Sequence, residues 1–179
     1  MIVVIKFIKN TPTEVNYAFF FAFFSVSLVL LCLQTTILNS FPLIPIKPDI
    51  TIIMVAYFAI FHGPVRGIIL AFFLGCLMDV LSGTILGVYM LLRICTFAMT
   101  RLVLDTFYFK TTFSQMLLTV ALSIIDGVLL LLVLKIFGSI DNMWPFVLLF
   151  LPLQSLVTGI MTPVIFLLLK KTEIFIESS

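Results

Sequence analysis

Apolar residues run along this chain in six long stretches, separated by short polar, glycine or proline breaks rather than interleaved with charge. The first, residues 17–38, closes on Asn39, Ser40 and then Pro42, Pro45 and Pro48, whose missing N–H groups and ring clashes stop a helix. The second, 50–61, ends at His62-Gly63-Pro64, and the third, 67–81, ends at the turn Ser82-Gly83. At twelve and fifteen residues they span about 18 and 23 Å, so they should form a hairpin that either extends into its flanks or sits in locally thin bilayer. A fourth stretch covers 85–100, a polar segment occupies 101–112, and the fifth and sixth cover 113–137 and 146–169. Pro152 and Pro163 fall inside the last and should each kink it or free a carbonyl.

Composition decides what these helices are for. Of 179 residues 63% are hydrophobic and 10% charged, more apolar surface than a water-soluble fold can hide. A crossing needs about 20 apolar residues, so the chain reads as one all-α integral membrane domain, residues 1–179, with six transmembrane helices and little else. The opening apolar run is 22 residues, longer than the roughly 7–15 of a signal-peptide core, and predicts a retained anchor. With the amino terminus inside, Lys6, Lys9, Arg66, Arg101, Lys110, Lys170 and Lys171 are cytoplasmic and only Lys47 and Lys135 are outside, which predicts cytoplasmic termini at both ends. A net charge of +2, scattered beside apolar runs, gives no nucleic-acid footprint; lipid is the expected surrounding. Cys32, Cys76 and Cys95 lack metal-type spacing and are expected as small buried hydrophobes.

Two patterns could carry function. Small or special residues recur every fourth position at Gly63, Gly67, Ala71, Gly75 and Asp79, with Gly83 and Gly87 beyond the turn, so one helix face lets another helix approach closely. That face serves internal packing or a groove for a partner helix. The second pattern is charge inside apolar runs. Arg93 and Asp126 both fall near the membrane middle, where an unpaired charge costs about 2.5–3.5 kcal/mol on insertion scales, so they are expected to pair. Asp79 is expected to cap or contact the turn at Ser82-Gly83, and Gln34 and Gln154 to hydrogen-bond across helices. A phosphate loop, zinc motif, nucleophile elbow and dinucleotide fingerprint are all missing from the sequence; neither catalysis, a metal nor a cofactor is expected.

Leu33-Gln34-Thr35-Thr36 closing the first stretch and Pro48-Asp49 opening the second resemble, in order and spacing, the MreD family of bacterial rod shape-determining proteins. Gly63 and Gly67, Gly75-Cys76-Leu77-Met78-Asp79, Gly83 and Leu86-Gly87 extend the same resemblance. It implies a non-catalytic scaffold of the bacterial cytoplasmic (inner) membrane that binds MreC and helps couple MreB, RodA and a class B transpeptidase in peptidoglycan synthesis. It also implies a six-helix fold similar to the substrate-binding subunits of energy-coupling-factor transporters. That likeness supplies the alternative function, capture of a vitamin-type small molecule. On the scaffold reading, the face from Gly63 to Gly75 and an outer rim of Pro45, Pro48 and Asp49 are candidate contacts for MreC.

Overall fold

The computed structural model describes residues 25–32, 34, 48–83, 86–106, 111–137 and 144–177, and these contain helices and no strand. Residues 25–32 form the described part of α1. Then follow α2 (Ile50–Phe61), α3 (Pro64–Ser82), α4 (Val88–Thr106), α5 (Thr112–Ile136) and α6 (Trp144–Glu177). Among the described residues α3, α5 and the 148–174 part of α6 are long and apolar enough to cross a membrane. The remainder of the expected first crossing lies outside the described residues.

Local chemistry sets each boundary. Asp49 sits in extended backbone and its carboxylate accepts from the N–H groups of Thr51 (3.1 Å) and Ile52 (3.3 Å), so α2 starts at Ile50. The extended His62 ends it, its N–H closing on the Phe58 carbonyl. Pro64 then opens α3 three residues before the expected start, because proline suits the first helical position, where no N–H bond is lost. Gly83 (φ 62°) and Gly87 (φ 96°) take left-handed conformations open to glycine, which turns the chain and delays α4 to Val88. Both α4 and α6 run past their predicted ends, to Thr106 and Glu177, so polar residues that read as loop are helical turns leaving the apolar layer. Pro152 and Pro163 lie within α6, which continues through both.

Contacts along the helices fix their directions. Asp49 at the start of α2 meets Arg93 early in α4 and Thr158 in α6, while His62 and Tyr57 at its end meet Arg101 and Glu173, so α2, α4 and α6 run parallel. Gly67 packs against Phe97 and Gly75 against Met90, making α3 antiparallel to α4; Gly127 against Leu151 and Gly159 against Val120 make α5 antiparallel to α6. Helices α2 to α6 therefore alternate up and down. Helix α2 packs against α3, α4, α5 and α6, and every residue from Thr51 to Ala59 is buried, as expected for a helix apolar all round at the centre of a bundle.

Polarity is inverted relative to a soluble fold. Among the described residues the largest fully buried side chain is Arg93, at 0% exposure, while Leu149 is 74% exposed and Val80 72%. Apolar outside and charged inside is the arrangement hydrocarbon demands, since lipid solvates leucine and penalises charge. The cysteines depart from expectation for the same reason: Cys32 is exposed and Cys76 and Cys95 are half-buried, because lipid contact costs a thiol little. Arg66, Arg101, Lys170 and Lys171 lie at the His62 end of the bundle, and Lys135 lies at the other.

Candidate functional site

The charged centre is a cluster around Arg93. Its guanidinium donates to Asp49 Oδ2 at 2.8 Å and pairs with Asp126 Oδ1 at 3.2 Å. The Thr96 hydroxyl, one turn along α4, donates to the same Asp126 oxygen at 2.8 Å. The Asp49 backbone N–H donates to Thr158 Oγ1 at 3.1 Å, and that hydroxyl donates in turn to the Gln154 carbonyl at 2.8 Å. Four helices, α2, α4, α5 and α6, thus converge on one polar knot. With Arg93 and Asp126 buried and Asp49 half-buried, the charge-assisted bonds among them are stronger than they would be in water.

Sequence reasoning placed Arg93 and Asp126 at similar depth, and the structure brings them together, but Asp49 is a second partner that it assigned to an outer rim. Pro48 is buried and Asp49 half-buried, its carboxylate engaged by Arg93 and by the first turn of α2. Pro45 lies outside the described residues. The reason is the shortness of α2, whose amino terminus reaches only part way through the bundle. From Trp144 to Thr158 α6 rises about 21 Å past it, and from Asp126 to Ile136 α5 rises about 15 Å. Measured the other way, α2 places the cluster about 18 Å from the His62 end, inside a hydrocarbon layer of about 30 Å. One guanidinium faces two carboxylates, and the excess negative charge sits at the amino terminus of α2, where the helix dipole offsets part of it.

Asp79 is a helix cap. Its carboxylate accepts from the N–H groups of Tyr89 (2.9 Å) and Met90 (3.1 Å), holding the first turn of α4 against the last turn of α3, and its carbonyl accepts from the Ser82 hydroxyl at 3.4 Å. Asp79→Ala should therefore cost about 1–2 kcal/mol, seen as a lower unfolding midpoint in detergent with the helix content retained.

The small-residue series divides by role. Gly67, Ala71 and Gly75 are buried beneath α4, and a Cβ on Gly75 would lie 2.3 Å from the Met90 Cα. This face is filled by the chain itself, so it is no groove for an outside helix. Gly63, Gly83 and Gly87 have no neighbour within 4 Å of a hypothetical Cβ among the described residues and serve the turns instead. Gln154 contributes its backbone carbonyl, to Thr158 of the same helix, while Gln34 Oε1 is buried without a partner among the described residues. The Ser155 and Thr162 hydroxyls bond back to carbonyls one turn earlier, so α6 carries its hydroxyls internally satisfied. Composition hid two further features. Gly127 and Gly159 bring α5 and α6 together, and Thr158 receives α2.

At the basic end, the Arg101 side chain reaches the His62 carbonyl and lies 5.7 Å over the Phe97 ring. Glu173 pairs with His62 at 3.5 Å and accepts the Tyr57 hydroxyl at 2.8 Å. A cavity of about 640 Å³ opens beside them between α2, α5 and α6. Among the described residues, groups of three or more histidine, cysteine, aspartate or glutamate side chains able to hold a metal are absent.

A family model for the rod shape-determining protein MreD matches residues 14–172. A search of curated proteins gives no match, and a search of solved structures gives none.

Proposed function

Since the chain belongs to the MreD family of rod shape-determining proteins, we propose that it is a non-catalytic scaffold of the bacterial cell-elongation complex in the cytoplasmic membrane. In this reading it binds MreC and helps couple MreB to RodA and a class B transpeptidase during peptidoglycan synthesis. Six crossings with cytoplasmic termini, in a fold like that of energy-coupling-factor substrate-binding subunits, belong to the same proposal. The alternation of helix directions and the gathering of Arg66, Arg101, Lys170 and Lys171 at one end support the orientation.

The observation that carries the scaffold over a transporter subunit is the commitment of the buried charges to one another. Arg93, Asp49 and Asp126 bind across helices, and Asp79 binds backbone, where substrate capture would want polar groups converging on an open pocket. A rigid body with an apolar exterior suits partner binding through lipid-facing helix sides. Because α4 fills the Gly67–Gly75 face, partner contacts belong on the opposite side of α3, where Ile68, Ile69, Phe72 and Phe73 are exposed.

Purification of the tagged full chain from its native membrane, with co-purifying proteins identified by mass spectrometry, tests this. Recovery of MreC with wall-synthesis enzymes is the expected result. Recovery of paired ATPases with a membrane coupling subunit would overturn it in favour of vitamin-type capture.

A further inference from the structure

We propose that the cavity between α2, α5 and α6 holds an acyl chain of an anionic phospholipid whose phosphate pairs with Lys170. The cavity, about 640 Å³, is within the 300–1,000 Å³ typical of sites for small molecules. Its walls are mainly apolar, built from Phe61, Pro163, Phe166 and Leu167 with the ring of Tyr57, while Gln115 adds a polar side chain from α5. Leu167 is 68% exposed, so the cavity opens sideways to lipid rather than only to water.

Charge decides which lipid fits. Lys170 lines the cavity and is exposed, and it makes no ion pair within 4 Å among the described residues. The one carboxylate among the described lining residues, Glu173, lies three positions after Lys170 and feels its charge, but its hydrogen bond is to the Tyr57 hydroxyl and its ion pair is with His62, not with Lys170. Lys171 and Arg66 lie at the same end and add to the positive field. A mainly apolar slot beneath an exposed ammonium, at the basic end of a membrane bundle, matches a lipid with a negative headgroup: chain in the slot, phosphate on the cation. A zwitterionic headgroup would present its own ammonium to the same field and gain less. This site is unconnected with the Arg93 cluster, and it rests on membrane insertion but not on the scaffold assignment.

The test is native mass spectrometry of the full chain in detergent, titrated with phosphatidylglycerol and separately with phosphatidylcholine. Phosphatidylglycerol should bind more tightly by about fivefold, the effect of one basic residue near an anionic lipid, and Lys170→Gln should erase that preference. Leu167→Trp, which intrudes into the cavity from an exposed position, should weaken both lipids. Lys135→Gln, at the opposite end, should change neither, and an excess of inorganic phosphate should not displace the lipid. Equal binding of the two lipids by the unaltered chain would overturn the proposal without any variant. So would an equal loss from Lys135→Gln, or displacement by phosphate alone.

Discussion

Arg93→Met is expected to destabilise the bundle by about 3–5 kcal/mol, because it removes the single cation from a site that keeps two carboxylates. Asp49 and Asp126 would then face each other across a desolvated gap with only hydroxyl and backbone donors left to them. The unfolding midpoint in detergent measures the loss. Combining Arg93→Met with Asp49→Asn and Asp126→Asn should recover most of it, since replacing a whole buried ionic group is far cheaper than orphaning half of one. Exchanging Arg93 and Asp126 alone should rescue poorly. Asp49 would remain facing a shorter, like-charged residue, and the new arginine would start from a different helix.

Gly75→Leu is the second large effect. A Cβ at this position already comes within 2.3 Å of the Met90 Cα and 2.9 Å of the Met90 nitrogen, and backbone cannot move aside as a side chain can. At Gly67, by contrast, the obstacle is the Phe97 ring. Overpacking usually costs about 1–3 kcal/mol, and at Gly75 the isobutyl group has no rotamer that avoids α4, so the cost should reach or exceed the top of that range. The expected result is loss of the folded protein from the membrane fraction, while Gly63→Leu, with open space around it, accumulates normally. Because α4 occupies this face, a failure of Gly75→Leu to assemble with partners would report a broken fold rather than a blocked docking site.

Much of the fold was legible because membrane helices announce themselves by length and punctuation. Ile50–Phe61 and the α5 span came out within a residue, since Asp49, His62-Gly63 and the polar stretch before Thr112 are unambiguous stops. Boundaries slipped where one residue can be read two ways. Pro64 reads as a breaker, although the first position of a helix is where proline belongs. Arg101 reads as the start of a loop, although an arginine can stay helical while its side chain reaches the His62 carbonyl.

Depth explains the rest of the gap. Arg93 and Asp126 could be matched by counting residues from their helix ends, but Asp49 could not, because counting assumes that every helix begins at the membrane surface. Helix α2 begins inside. The local signal was present in Asp49-Ile50-Thr51-Ile52, an aspartate directly before an apolar run and suited to cap it. What no local pattern reveals is that α5 and α6 continue past that cap, turning a loop residue into an interior one. The glycine series posed a similar ambiguity: spacing identifies a face for close approach, but not whether the approaching helix is α4 or a separate chain.

Arg93 ties the sunken start of α2 to α4 and α5 through Asp49 and Asp126. A double-mutant cycle on Asp49→Asn and Arg93→Met, read from unfolding free energies of the detergent-solubilised chain, tests it most directly. A coupling energy at the upper end of the roughly 0.5–3 kcal/mol seen for residues in one network is expected. Additive effects of the two substitutions would contradict it.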